Sequence, residues 1–318
     1  MNKLIILAYN EEAKISDTIK DLVDYFDEII VVNDKSKDDT LKVLEGLKKN
    51  FNNIVIINNE KNFGPGRSME LAVKQSIKSR FDYLVKIDGD NQFDTQDILK
   101  ILAIANAKKI DFIKCDRFWS KGIIGDIPKI RYFGNSLASL LIKFSTGNWK
   151  INDPLNGLFL FSYKLAMKFK LPKMFYRYGY PFYINAYISR LSVQENYKIF
   201  QFKNKITYSN EESNLNPFVL FIKLTSFSIY NFFKNIGVKL KYSNFQLSAI
   251  LDLSAIVCFF ISVSCFIMGI SVRFFKYNGN QSAWILISII FLVLFFTLVV
   301  QSQKNLKNEN KKNFTYLN

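Results

Sequence analysis

The amino-acid sequence predicts an α/β fold, with a mostly parallel sheet and flanking helices, followed by a C-terminal hairpin of two transmembrane helices. Two observations carry this prediction. In residues 1–115, short runs of Ile, Val and Leu alternate with segments whose apolar residues recur at helical spacing. In the last third of the chain, two long apolar stretches contain no charged residue.

The α/β part is built from short apolar runs that predict strands. These are Leu4–Ala8, Glu28–Val32, Asn53–Ile57 and Tyr83–Ile87. Helices are predicted between them, over Ile15–Phe26, Asp38–Lys49 and from Arg67 to about Lys78. Continuous runs of Ile and Val are typical of strands buried on both faces, so we expect a parallel sheet covered by helices on each side.

The two apolar stretches predict the hairpin. Leu253–Val272 has 20 residues and Ser282–Val300 has 19, and each is long enough to cross a hydrocarbon core of roughly 30 Å. The link Arg273–Gln281 is short and polar. A buried helix of a soluble core is the alternative interpretation, but two adjacent stretches of this length and apolarity argue against it.

The distribution of basic residues predicts the orientation of the hairpin. The segment before the hairpin has four lysines, Lys223, Lys234, Lys239 and Lys241, and the segment after it has four more, Lys304, Lys307, Lys311 and Lys312. The link between the two stretches carries only Arg273 and Lys276. Cytoplasmic flanks are the richer in Lys and Arg. We therefore expect an integral protein of the cytoplasmic membrane with both termini and the α/β domain in the cytoplasm, and no N-terminal signal peptide.

These features divide the chain into four predicted parts. Residues 1–215 form the α/β domain, 216–245 an interfacial segment, 246–303 the hairpin and 304–318 a basic tail. In the second part Phe alternates with Lys, which fits an amphipathic helix at a membrane surface or a helix packed on the domain. The net charge of +16 is distributed as −3, +11 and +8 over residues 1–100, 101–215 and 216–318. The hairpin favours a membrane over nucleic acid as the partner of this basic excess.

The composition excludes several chemistries. The chain has no His, so Ser-His-Asp and Cys-His machinery and His-ligated zinc are ruled out. Its three Cys cannot form a disulfide framework, which favours a reducing compartment. Neither the dinucleotide fingerprint GxGxxG nor the phosphate loop GxxxxGK[ST] is present.

Polar residues follow each predicted strand, where ligands bind in open α/β sheets. The four segments are Tyr9–Glu12, Asn33–Ser36, Asn62–Arg67 and Asp88–Gln92. Asp88 and Asp90, separated by one Gly, can hold Mg²⁺ or Mn²⁺ through oxygen, and Gln92 can add another oxygen. An isolated acidic turn is most often a solvated loop. The position after an apolar strand, with Asp34 at an equivalent strand end, favours a metal site.

Seven motifs occur in the order found in family 2 glycosyltransferases. They are AYNEE at 8–12, VVNDKSKDDT at 31–40, NFGPG at 62–66, KIDGDNQFD at 86–94, CDRFW at 115–119, PKIRYFGN at 128–135 and DPLNG at 153–157. Over residues 3–215 the chain resembles the dolichol-phosphate mannose synthase branch and its bacterial polyprenyl-phosphate relatives. The resemblance implies a GT-A fold, a nucleotide-sugar donor linked to GDP or UDP, a divalent metal and inversion at the anomeric carbon.

The resemblance also implies residue roles. The base and ribose pocket would be lined by Tyr9, Asn10, Glu11 and Asp34. Asp88 would lie near the ribose and the diphosphate, and the metal would be held by Asp88, Asp90 and Gln92. The acceptor phosphate would be bound by Arg117 and Arg131. The planar guanidinium group can donate two parallel hydrogen bonds to a phosphate, which makes Arg a preferred phosphate ligand. A single Arg in a sequence is nevertheless most often an ordinary surface residue. The chain departs from the family at Leu7-Ala8, where a Pro is usual, and at Gly157-Leu158-Phe159, where Gly-Phe-Arg is usual.

The expected activity is metal-dependent, inverting transfer of a sugar to a polyprenyl phosphate at the membrane. A phosphate acceptor is already anionic, so no strong base is required, which fits a chain without His. Transfer to a hydroxyl of a surface glycan or glycolipid is the alternative, with Asp153 as candidate base. A non-catalytic membrane scaffold is the distant alternative. The sugar, the lipid and the oligomeric state, a homo-oligomer included, stay open.

Overall fold

The computed structural model of the chain describes residues 1–118, 129–195, 197–204, 216–241, 246–275 and 279–309. The strands are β1 Asn2–Ala8, β2 Glu28–Asn33, β3 Ile54–Asn58, β4 Tyr83–Asp88, β5 Phe112–Asp116, β6 Phe159–Ser162 and β7 Ile199–Lys203. The helices are α1 Ile15–Lys20, α2 Thr40–Asn50, α3 Pro65–Ser76, α4 Thr95–Lys108, α5 Lys129–Thr146, α6 Tyr163–Ala166, α7 Tyr180–Gln194, α8 Pro217–Lys241, α9 Gln246–Phe275 and α10 Gln281–Glu309.

The strands of the described part form one sheet in the order β3-β2-β1-β4-β6-β5-β7. β1 pairs in parallel with β2 and β4, β2 with β3, and β5 with β7. β6 alone among these strands runs antiparallel, between β4 and β5. The predicted α/β fold with a mostly parallel sheet is therefore confirmed, and each of the four predicted strands is present.

Both faces of the sheet are buried. α1, α2 and α4 pack on one face through residues such as Ile19, Leu44 and Ile101. α3, α5, α7 and α8 cover the other face. This two-sided burial explains why β1, β2 and β3 are nearly continuous runs of Ile, Val and Leu.

The strand register brings the predicted site segments together at one edge. Ala8, the last residue of β1, lies opposite Asn33, the last residue of β2, and Leu7 lies opposite Asp88 at the end of β4. Adjacent strands lie about 4.8 Å apart. The loops that follow β1, β2 and β4 consequently start side by side.

Helix α8 has one packed face and one exposed apolar face. Leu224 and Phe227 are buried against the domain, and Asn231 and Asn235 both donate side-chain hydrogen bonds to the backbone oxygen of Ser145. The opposite face exposes large apolar side chains, among them Phe218, Ile222, Ile229, Tyr230 and Phe233. The helix is therefore packed on the domain and is also amphipathic, and its location at a membrane surface stays a prediction.

Helices α9 and α10 pack against each other as a hairpin. Each is long and apolar enough to cross a membrane, judged by length and composition, over Gln246–Phe274 and Gln281–Ser302, and most of each span is exposed. Ser262 and Ser248 donate hydrogen bonds to the backbone oxygens of Ser288 and Ser302, across the hairpin. Asp252, near the start of α9, accepts a buried 2.6 Å ion pair from Lys239 of α8, which links the hairpin to the domain.

Candidate functional site

A cleft of about 590 Å³ opens at the carboxyl ends of β1, β2 and β4. We call it the carboxylate cleft. Its lining is Leu7, Ala8, Tyr9, Glu11, Asp34, Lys37, Asn62, Gly64, Pro65, Ser68, Asp88, Asp90, Arg177 and Tyr178. Four of these residues are acidic and two are basic, so a diphosphate that enters the cleft meets several negative charges.

Asp34 fixes the loop between β3 and α3. Its carboxylate accepts hydrogen bonds from Asn59 Nδ2 at 2.7 Å, from the backbone nitrogen of Phe63 at 2.9 Å and from that of Gly64 at 2.7 Å. The side chain is buried, and its own backbone nitrogen donates to the oxygen of Ala8. One carboxylate thereby joins the ends of β1 and β2 to the loop that forms the cleft wall.

The loop after β1 is held by the loop after β2. Asn10 Oδ1 accepts from the backbone nitrogen of Lys37 at 2.8 Å, and Thr40 Oγ1 accepts from the backbone nitrogen of Glu11 at 2.8 Å. Asn10 and Lys35 both have positive φ angles, of 58° and 60°. Conformations that are uncommon for non-glycine residues cluster at functional sites, and here they shape the rim of the cleft.

Asp88 is paired with a lysine of its own strand. Lys86 is fully buried, and its Nζ lies 2.6 Å from Asp88 Oδ1 and over the rings of Phe159 and Tyr180. Residues i and i+2 of a strand share a face, so Lys86 meets Asp88 directly. A buried ammonium requires a charged partner, and here that partner is the first carboxylate of the predicted metal motif.

Gly157 is required where the loop before β6 passes Asp88. Lys86 lies opposite Phe159 in the antiparallel ladder, and that register places Gly157 beside Asp88. A Cβ on Gly157 would overlap Asp88 Oδ2 and lie 3.2 Å from Lys86 Nζ. The DPLNG segment therefore supports the metal motif across the sheet.

Asp90 lines the cleft beside Asp88, and its Oδ1 accepts from the backbone nitrogen of Gln92 at 3.3 Å. In the part of the chain that is described, no group of three Asp, Glu, Cys or His residues forms a complete metal cage. Two carboxylates nevertheless match Mg²⁺ or Mn²⁺, because Mg²⁺ is usually bound by one or two carboxylates, water and substrate phosphates. The residues fit a cation that a nucleotide diphosphate would help to bind.

Arg117 and Asp153 form a second, largely buried cluster after β5, at the same edge of the sheet as the cleft. Arg117 Nε and Nη2 each lie 2.7 Å from an oxygen of Asp153, and the backbone nitrogen of Arg117 donates at 3.0 Å. Asn135 and Asn156 add two more donors to the same carboxylate, each at 3.1 Å. Asp153 has a φ of 43°, and the nearby Lys114 Nζ donates to the backbone oxygen of Asn152.

Burial and neighbouring charges shift three pKa values in and around this cluster, in different directions. Burial opposes the ionisation of Asp153, but the Arg117 guanidinium and its hydrogen bonds outweigh it, so the pKa of Asp153 is lowered. Burial raises the pKa of Asp116 and lowers that of Lys114. Asp153 is thus held as an anion.

The structure brings together five of the residues that the sequence nominated for the donor and the metal. Tyr9, Glu11, Asp34, Asp88 and Asp90 line the cleft. Three other nominated residues are not among its lining: Asn10 is between two lining residues in the chain, Gln92 donates its backbone N–H to Asp90, and Arg117 follows β5, two strands from β4. Arg131 is in the first turn of α5, and its side chain lies outside the described part of the structure.

Sequence reasoning missed Lys86, Gly157 and Arg177. Lys86 could have been found, because a lysine two positions before Asp88 in an apolar strand must share the face of Asp88. The same K-x-D pattern recurs as Lys114 and Asp116 at the end of β5. Arg177 has no local signal: its segment reaches the cleft because Gly66 packs against the backbone of Phe175 and Tyr176.

An α/β sheet with a carboxylate-rich cleft at its switch point is typical of nucleotide-binding enzymes. The sequence model of Glycosyl transferase family 2 matches residues 3–170, more than half of the chain. The chain therefore belongs to glycosyl transferase family 2, and the family domain spans residues 3–170. The predicted family is confirmed.

The chain is similar to two curated relatives and to one solved structure, as follows. It is 35% identical over 139 residues to the uncharacterized protein MJ0544 of Methanocaldococcus jannaschii. This match covers 43% of this chain and 58% of that relative. It is 31% identical over 179 residues to the UDP-N-acetylglucosamine–dolichyl-phosphate N-acetylglucosaminyltransferase of Methanococcus voltae, covering 52% and 70%. The S. aureus TarS structure of residues 1–349 has a TM-score of 0.47 and 14% identity, covering 98% of this chain and 90% of TarS.

Proposed function

We propose that the protein transfers a sugar from a nucleotide diphosphate to a polyprenyl phosphate at the cytoplasmic face of a membrane. The observation that carries the proposal is the convergence of Asp34, Asp88 and Asp90 in one cleft at the carboxyl edge of the sheet. The relative from Methanococcus voltae, whose name specifies UDP-N-acetylglucosamine and dolichyl phosphate, supports this choice of donor and acceptor. The donor nucleotide is UDP or GDP.

Different residues of the cleft would bind different parts of the donor. Tyr9, Glu11 and Asp34 would contact the nucleoside, with Asn10 fixing their loop, and Asp88 and Asp90 would hold Mg²⁺ or Mn²⁺, with Gln92 beside them. When bound, this cation supplies positive charge against the leaving diphosphate. The four carboxylates of the cleft make that charge necessary, because they would otherwise repel the diphosphate.

The acceptor requires no general base. A phosphate monoester carries between one and two negative charges near pH 7. One of its oxygens would attack the anomeric carbon, the bond from that carbon to the diphosphate oxygen would break, and the nucleoside diphosphate would leave. A single displacement of this kind inverts the anomeric centre. Arg117 and Arg131 would orient the acceptor phosphate, with Arg117 held by Asp153 as a rigid donor.

Asp153 is poorly suited to be the general base that transfer to a sugar hydroxyl would need. A general base needs an accessible lone pair near the reacting proton. The carboxylate of Asp153 is fully buried, accepts five hydrogen bonds and has a lowered pKa. It is a weak base without access, and its proposed role is to position Arg117.

The membrane part would place the active site at the lipid surface. The exposed apolar face of α8 would lie in the interface, and α9 and α10 would span the bilayer, with the α/β domain and the C-terminus in the cytoplasm. In this arrangement the acceptor phosphate and the carboxylate cleft are on the same side of the membrane. Exposed basic side chains at this surface would face anionic lipid.

The test is a transfer assay with the full chain in phosphatidylcholine nanodiscs. A panel of UDP- and GDP-sugars is incubated with undecaprenyl phosphate and Mg²⁺ or Mn²⁺, and lipid-linked sugar is extracted and its anomeric configuration determined by NMR. We expect one donor to give an inverted product, and Asp90→Asn to give none. Transfer to a glycan hydroxyl with no lipid-linked product would establish the alternative instead.

A further inference from the structure

A second cavity, of about 450 Å³, lies between the start of α8, the loop after β3 and the segment that precedes α7. We call it the basic cavity. Its lining is Phe63, Lys173, Met174, Tyr176, Arg177, Tyr178, Asn216, Val219, Leu220 and Lys223. Arg177 and Tyr178 also line the carboxylate cleft, so the two cavities are neighbours.

The charge of the basic cavity is opposite to that of the cleft. Three cations line it, Lys173, Arg177 and Lys223, and none of its lining residues in the described structure is acidic. Lys223 is half-buried, donates to the backbone oxygen of Tyr178 at 2.7 Å and lies 4.8 Å from the centre of the Phe175 ring. Burial lowers its pKa, and no carboxylate opposes that shift. Three cations without a carboxylate are suited to an anion with more than one acceptor oxygen.

The rest of the cavity is apolar. Phe63, Met174, Val219 and Leu220 contribute carbon surface between the cations. Immediately outside, the first turns of α8 expose Phe218 by 69% and other large apolar side chains. A free phosphate would leave this apolar surface without a partner, whereas a phosphate attached to an acyl or prenyl chain would cover it.

We propose that the basic cavity binds the phosphate headgroup of a membrane lipid. Charge complementarity and the continuous apolar surface toward the exposed face of α8 identify a lipid phosphate as the occupant. Either a polyprenyl phosphate or an anionic phospholipid presents this chemistry. Because Arg177 lines both cavities, the site lies directly beside the carboxylate cleft. The proposal concerns binding alone and does not depend on sugar transfer.

The experiment measures lipid binding by the full chain in detergent, without donor and without turnover. n-Dodecyl phosphate is titrated, and its apparent Kd is obtained from the ligand-dependent rise in Tm. The test variants are Lys173→Gln alone and Lys173→Gln combined with Lys223→Gln. Lys173 is exposed, so the single variant is expected to fold even where the double variant does not.

The matched control is Lys234→Gln. Lys234 is an exposed lysine of α8 eleven residues after Lys223, hence on the same stripe of the helix and about 16 Å further along its axis. We expect the Kd to rise roughly tenfold for each lysine removed from the cavity, since a charge-assisted contact contributes about that factor. We expect no change in the control. Equal weakening in all variants, or none, would overturn the proposal.

Three further arms define the ligand. Inorganic phosphate should bind far more weakly than n-dodecyl phosphate, and equal affinity would refute a lipid site. UDP with Mg²⁺ should bind the double variant as it binds the wild type; parallel loss of UDP would assign the cavity to the donor cleft and overturn the proposal. Nanodiscs containing undecaprenyl phosphate or phosphatidylglycerol in phosphatidylcholine then identify which lipid source binds, and binding of neither would also contradict it.

Discussion

The guanidinium of Arg117 lies across the carboxylate of Asp153, with Nε and Nη2 each 2.7 Å from one of its oxygens. Removing one partner of a buried pair leaves an uncompensated charge and is strongly destabilising. Any loss of acceptor affinity in an Arg117 variant therefore has to be separated from a loss of folding.

Asp153→Asn should lower the free energy of unfolding near neutral pH by about 3 kcal/mol, because Arg117 loses its ionic partner. The folded pKa of Asp153 is lowered, so its contribution is present above the unfolded pKa of about 3.9 and is lost as pH falls toward the folded pKa. The difference in the free energy of unfolding between wild type and variant should thus become smaller below about pH 4. Denaturant unfolding of the full chain in detergent, from pH 3 to pH 7, measures it.

Asp116→Asn is the control of opposite sign. Burial raises the pKa of Asp116, so the stabilising contribution of this group is complete below its unfolded pKa and is lost as pH rises through its folded pKa. The wild type should lose stability relative to this variant as pH increases. If the difference in unfolding free energy between wild type and Asp153→Asn stays constant from pH 3 to pH 7, the carboxylate of Asp153 is not held as an anion by Arg117.

Asp90→Asn should weaken nucleotide binding only when metal is present. With Mg²⁺ the variant should bind UDP or GDP more weakly than the wild type, because a charged oxygen ligand is lost. In EDTA it should bind at least as well, because one of four carboxylates that repel the diphosphate has been neutralised. Isothermal titration with and without Mg²⁺ tests this difference. Equal weakening under both conditions would remove Asp90 from the metal site.

Gly157→Ala should lower turnover by roughly ten- to a hundredfold while the protein stays folded. The added Cβ overlaps Asp88 Oδ2, so the carboxylate has to move from its position beside Lys86. Gly46→Ala in α2 is the matched control, since its Cβ meets nothing within 4 Å. The control should keep full activity and gain about 0.5–1 kcal/mol of stability from its helical position. Normal kcat in the Gly157 variant would show that Asp88 does not need its present position.

The proposed topology predicts where reporters become accessible. A reporter fused after Asn318 should be cytoplasmic, and one inserted at Gly279, between the two apolar helices, should be outside. With a single cysteine as the reporter at each position, labelling by an impermeant reagent in intact cells distinguishes the two sides of the membrane. The inverse pattern would contradict the proposed location of the carboxylate cleft as well as that of the hairpin.

The sequence by itself determined the fold class, the family and the residues at the ends of the first strands. Its strands are buried on both faces and are therefore continuous apolar runs, which can be recognised locally, and the polar residues that follow each run mark the edge where ligands bind. Asp34, Asp88 and Asp90 were found in this way, and the register of β1 with β2 and β4 brings them together. The apolar hairpin was equally local, since composition and length alone define it.

Only the tertiary structure decided which groups touch one another. The antiparallel insertion of β6 between β4 and β5 places Gly157 against Asp88, and no local pattern specifies that pairing. Arg177 reaches the cleft through a backbone contact more than 100 residues away in sequence, at Arg67. Asp153 pairs with Arg117 because a loop brings it back beside β5. Such contacts depend on chain topology and on strand register, which a local pattern of residue types does not specify.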